Sequence, residues 1–195
     1  MRKCFFFLLV VFTALSASAQ QNNIDAKLTQ RLNTYMQLNR NLDFEPMMDY
    51  IYPALFKVAP RDAILQSFKD AFNNDAVKIK FDSIAVRTIG ADFKSKGGTF
   101  KKIDYYMSMR MSFTDTSFLS NADARKMMLE SMQTTFPGKE VSFNEKDKAL
   151  LIIGNEIMFA VKENATTEWM FIGYEKNPEL IQALFPQDVI AHFKL

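Results

Sequence analysis

Asp49, Tyr50, Tyr52 and Tyr105 are the residues of this chain whose types could carry acid–base chemistry. A carboxylate in an apolar pocket has a raised pKa and can act as a base, and a tyrosine beside it can complete a proton relay. Asp49 with Tyr50 or Tyr105 is therefore a candidate catalytic pair. The competing reading is packing, with the tyrosines at a pocket mouth and Asp49 solvated on a helix. Met107-x-Met109-x-Met111 is the second pattern. Thioethers are soft ligands that select Cu(I), and a strand would put all three on one face with neighbours ~6.5–7 Å apart. Ile103, Tyr105 and Phe113 extend that face, which favours core or pocket lining, a use that suits methionine. No cofactor is expected.

The other candidates are fewer. With His192 as the one histidine, a metal site built on several histidines is excluded. Phe93-Lys94-Ser95-Lys96-Gly97-Gly98-Thr99-Phe100-Lys101-Lys102 reads as a basic hairpin tip, able to touch phosphates but ordinary as a solvated turn. Asn164-Ala165-Thr166 fits the N-glycosylation acceptor pattern and equally fits a turn.

The chain opens with Arg2-Lys3, an apolar run from Cys4 to Leu15, and Ser16-Ala17-Ser18-Ala19. A basic start, a short apolar stretch and a small-residue end form an export signal. Such a run is shorter than the ~20 residues that span a bilayer. Residues 1–19 are expected to be a cleaved signal peptide and residues 20–195 a single domain, periplasmic or secreted, with no transmembrane segment in the mature chain. Cys4, the one cysteine, leaves with the signal, so neither a disulfide nor a thiolate site is expected. Arg2 and Lys3 leave too, and the mature chain balances 22 acidic residues with as many basic ones. A chain without net charge is not expected to bind nucleic acid.

The elements that must position these residues follow from periodicity. Ile24, Leu28, Leu32, Tyr35, Leu38 and Leu42 share one helix face. Asp43 is expected to cap a second helix carrying Met47, Tyr50 and Ile51, and Pro60 to open a third that stops at Asn73-Asn74. From Val77 the period is two, with a phase slip near Asp82-Ser83 that predicts a bulge. Gly97-Gly98 predicts a hairpin into a long strand through Phe113. Asn121–Phe136 reads as helix. Strands are expected at 140–144, 148–154 and 157–162, the last two joined by a turn at Gly154-Asn155-Glu156, and at 167–175. Leu150 to Ile153 and Trp169 to Ile172 are apolar at consecutive positions, so both sheet faces are expected to be covered. Asn177 caps a short helix from Pro178, and Pro186 begins a last one.

Helices followed by strands give an α+β fold with N-terminal helices packed on a curved, mainly antiparallel sheet. The order resembles the cone-shaped nuclear-transport-factor-like (cystatin-like) superfamily. The residues that carry the likeness are the break at Asn41-Leu42-Asp43 leading to Tyr50-Ile51-Tyr52-Pro53-Ala54-Leu55-Phe56, the bulged strand ending near Val86, and the closing strand Trp169-Met170-Phe171-Ile172. The helix at 121–136 departs from the usual layout. The resemblance implies a sheet wrapped around the first helix, an apolar pocket, and dimers through the outer sheet face.

The function these readings favour is a non-catalytic exported binding protein holding a small apolar ligand in a pocket lined by Tyr50, Tyr52, Tyr105, Met107, Met109, Met111 and Trp169. The alternatives are an envelope assembly or structural protein, a homodimer through its C-terminal sheet, and a small enzyme using the Asp/Tyr pair. Mass spectrometry of the exported protein should find Gln20 as its first residue, and a first peptide beginning at Met1 would contradict the export reading.

Overall fold

The computed structural model describes residues 25–72 and 74–195. The expected signal peptide, its cleavage point and Asn73 lie outside the described residues. α1 (Ala26–Asn41) buries Leu28, Leu32 and Tyr35 of the expected face together with Met36, leaves Leu38 half-buried, and is capped by the Asp25 side chain, which accepts from the Lys27 N–H at 2.9 Å. It ends where Leu42 turns left-handed. Asp43 stands at the start of α2 (Phe44–Met47), but its side chain makes no capping hydrogen bond. α2 is also shorter than expected. It tightens into a single turn of 3-10 helix at Met48–Tyr50, because Ile51 is drawn into a parallel bridge with Phe171. α3 (Leu55–Val58) and α4 (Arg61–Phe72) follow.

β1 (Val77–Ile89), β2 (Phe93–Ser95), β3 (Gly98–Phe113), β4 (Glu140–Asn144), β5 (Ala149–Glu163) and β6 (Met170–Gly173) make one antiparallel sheet. The order is β1-β3-β5-β4, with β2 beside β3 and β6 beside β5. The expected bulge falls between Phe81 and Ser83, and a second lies between Val86 and Thr88. Ser95 pairs with Gly98 across the expected hairpin. α5 (Ala122–Thr135) is capped by Asn121, and α6 (Pro178–Leu184) by Asn177. α7 (Gln187–Phe193) closes the chain.

One expectation is corrected. Gly154-Asn155-Glu156 is not a turn between two strands. β5 runs straight through it, pairing these residues with Met107, Tyr106 and Tyr105 of β3. The turn-forming residue types yield to a partner strand of 16 residues that supplies a ladder along the whole length.

Strand alternation sorts the side chains into three packed clusters. On one face, Ile103, Met158, Ala160, Trp169 and Phe171 meet Leu28, Leu32, Tyr35 and Met36 of α1. The rings of Tyr35 and Phe171 stack with centroids 4.9 Å apart. On the other face, Phe100, Phe159, Val161 and Ile172 meet Ile181, Leu184, Phe185 and Val189 of α6 and α7. Both faces are thus covered at this end of the sheet, each by helices of the same chain. Towards the far end, Met107, Met109 and Ile152 pack with Phe81, Phe136 and Val141. The opposite face there carries Leu151 and Ile153, each half-buried.

A polar strap fastens α1 to the residues leading into β6. The Trp169 indole N–H donates to the Asp25 carboxylate at 2.8 Å, and the Lys162 ammonium lies 3.5 Å from the same carboxylate. Arg31 donates to the Trp169 carbonyl at 2.7 Å and to Glu168 at 2.8 Å. The Trp169 hydrogen bond holds the Asp25 carboxyl below its ordinary range, against the opposing effect of burial. A carboxyl whose folded pKa is depressed stabilises the fold above its unfolded value, ~3.9, and that contribution is lost as the pH falls through the folded value. Melting temperature measured between neutral pH and pH ~2 should therefore fall less steeply for Asp25→Asn than for the parent below ~3.9. Identical acid limbs would show that the strap does not titrate.

Candidate functional site

The residues expected to share one pocket are divided among the three clusters. Trp169 is buried in the α1 cluster at 1% exposure, and Tyr50 and Tyr105 pack against its edge. Tyr52 lies buried in the cluster under α6 and α7. Met107 and Met109 are buried beside Ile152, with Met111 half-buried against them. The division follows from strand alternation together with the turn after Tyr50, which sends Tyr52 away from Tyr50. The methionine stripe is packed interior. Among the described residues, no group of three His, Cys, Asp or Glu side chains could hold a metal ion.

Asp49 and the tyrosines do not form a proton relay either. The Asp49 side chain is 70% exposed and pairs with Arg61 at 2.7 Å, so it lacks the apolar surroundings a base would need. Tyr50 lies beneath the Arg31 guanidinium, 4.5 Å from its ring centre. Tyr105 is half-buried in the sheet. Desolvation, then the Glu156 charge and then Tyr35, pushes its phenol far above the ordinary range.

The arrangement with chemical potential lies instead at an edge of the sheet. One side of β5 is covered by β3 along its whole length, but the other is shared between two short strands. β4 reaches only to the Glu140–Ile153 pair, and β6 begins at the Gly173–Met158 pair. Successive residues of a strand turn their N–H and C=O to opposite sides. Ile153, Asn155, Ile157 and Phe159 therefore face the β4/β6 side. Ile157 is served there by the Tyr174 N–H, which donates to its carbonyl at 3.0 Å. Asn155 is left facing a notch.

Lys139 fills part of that notch. Gly138 at φ 77° turns the chain after α5, a left-handed conformation that favours glycine. The Lys139 stem then passes over Gly154, where a Cβ would collide with the Lys139 Cδ. Its ammonium donates to the Asn155 carbonyl at 2.9 Å and pairs with Glu156 at 2.8 Å. The Lys139 side chain is only 12% exposed. Beyond it the two flanking chains diverge, and an open cleft forms with Phe136, Pro137 and Ile157 as apolar walls and Tyr174 and Lys176 on the far lip. A second cleft shares Tyr174 and Lys176 and continues past Pro178, Ile181 and Ile190. Together they make a groove with cationic groups near its middle.

No protein-family model, curated protein or solved structure matches this chain.

Sequence reasoning did not reach Lys139, Asn155, Glu156, Tyr174 or Lys176. The available signal was Gly154, a glycine inside an apolar run, which marks a close approach of another group as readily as a turn. Gly154→Ala should displace the Lys139 stem from the Asn155 carbonyl and lower stability by about 1 kcal/mol, the scale of one hydrogen bond, in urea denaturation. Gly173→Ala, where a Cβ meets nothing within 4 Å, serves as the control and should stay within ~0.5 kcal/mol of the parent. Equal effects would mean that Lys139 does not depend on the bare Gly154.

Proposed function

We propose that this chain is a non-catalytic, exported binding protein that holds a small amphipathic molecule in the cleft at the β4/β6 notch. One observation carries the reading: apolar walls and a partly buried ion pair meet where a strand has lost its neighbour. Ligand sites are typically concave and mostly apolar, with a few placed polar groups. The notch supplies these as Asn155, Lys139, Glu156 and Lys176. Export rests on the pattern of residues 1–19. The absence of net charge in residues 20–195 supports a small molecule over nucleic acid as the partner. The cone-shaped superfamily fits the same order of helices and sheet and stands here as a proposed relationship. The second reading, a homodimer through the C-terminal sheet, is favoured by Leu151 and Ile153, which lie half-buried on the face opposite the Met107, Met109 and Ile152 cluster, where among the described residues no helix packs on them.

Native mass spectrometry of protein isolated from its own source should show mass in excess of the polypeptide. Ile157→Asp, which puts a charge on the apolar wall, should lose that excess. Met127→Asp, on an exposed position of α5, should keep it. A bare polypeptide mass for the parent protein would contradict the reading.

A further inference from the structure

We infer that the ligand of this site is an amphipathic carboxylate, its head group on the Asn155 N–H and the Lys176 ammonium and its apolar tail in the adjoining cleft of Pro178, Ile181 and Ile190. The inference rests on the binding function proposed above and narrows the class of ligand.

The head group follows from which polar groups are already satisfied. Asn155 directs both its N–H and its C=O into the notch. The carbonyl has the Lys139 ammonium as its donor, at 2.9 Å. Among the described residues no acceptor reaches the N–H, and Asn155 is exposed, so the group is open to a ligand oxygen. Lys139 is a donor only, and Glu156 already pairs with it at 2.8 Å. A ligand that completes the site must bring an oxygen that accepts.

Charge decides between a neutral and an anionic acceptor. The charged side chains lining the two clefts are Lys139, Lys176 and Glu156. Lys139 and Glu156 neutralise one another. Lys176 lines both clefts, and among the described residues it forms no ion pair. The uncompensated charge in the first cleft is therefore positive, while the main-chain carboxylate of Leu195 lies along the second cleft, so the anionic head group belongs in the first. A hydrogen bond to a charged acceptor is also roughly twice as strong as one to a neutral acceptor.

Size argues against an extended peptide as the occupant. The Tyr174 N–H already reaches Ile157 from one side. From the other side, a Cβ on Gly154 would lie 3.5 Å from the Lys139 Cα. The open lane between them is about two residues, or ~7 Å. That admits a carboxylate and its first carbons but not a strand. The rest of the molecule must leave the lane, and the apolar exit is the second cleft, past Tyr174 to Ile181 and Ile190.

Calorimetry with decanoate and decanol as probes separates the parts of this inference. Decanoate should bind the protein at least about tenfold more tightly than decanol, the scale of one charge-assisted contact. Lys176→Gln is an exposed change that should not disturb folding. It should weaken decanoate by about tenfold and leave decanol unchanged. Amide NMR should show Asn155 among the most shifted signals with decanoate. Equal affinity for the two probes, or full decanoate affinity in Lys176→Gln, would overturn the carboxylate assignment while the binding function stood. No binding of either probe would overturn both.

Discussion

The ladder between β3 and β5 is the constraint on which the rest of the structure depends. All of the 15-residue β5 is in register with β3, from the Gly98–Glu163 pair to the Ser112–Ala149 pair. That register decides which side chains of β5 face α1 and which face α6 and α7, so two of the three clusters are set by it. A one-residue slip would exchange Met158 with Phe159 and put each against the wrong helices. The same register fixes which backbone groups of β5 look outward. The two short strands cannot cover them all, and so the site is a consequence of unequal strand lengths.

The site also explains two local features that do nothing for the core. Gly154 contributes no side chain to the Met107, Met109 and Ile152 cluster beside it. Its bareness lets the Lys139 stem cross the strand. Glu156 is a carboxylate on a largely apolar sheet face, opposite the half-buried Tyr105. The Glu156 side chain is about one-third exposed, and Lys139 at 2.8 Å offsets part of the desolvation. Removing Lys139 would leave Glu156 without its counter-ion, which is why the conservative probe of this site is Lys176, on the lip.

What could be read from the sequence was local. The helix starts at Asn121 and Asn177 were legible because the capping oxygen and the N–H groups it serves lie within three residues. The Phe81–Ser83 bulge was legible because it shifts the phase of alternation. The burial of Met107 and Met109 followed from their neighbours on the same strand face. What could not be read was non-local. Gly154-Asn155-Glu156 has the residue types of a turn, and only the opposing β3 keeps it extended. Asp43 is a good capping residue by type, but Ile51 pairing with Phe171 shapes that segment. The expected pocket residues were correctly apolar, but they were assigned to one space when alternation and the turn after Tyr50 send them to three. Lys139 looked like any lysine after a Pro-Gly stop, because its partners lie 16 and 17 positions further along the chain.

The central claim is that Asn155 faces outward from β5 in the gap between β4 and β6, with no backbone partner on that side among the described residues. Residue-resolved amide hydrogen exchange on the ligand-free protein tests it most directly. Ile153, paired with β4, and Phe159, paired with β6, should be strongly protected. The Asn155 amide, between them on the same side of the same strand, should exchange much faster than either. Protection of Asn155 equal to that of its two neighbours would mean that the notch is closed in solution, and the account of the site would fail with it.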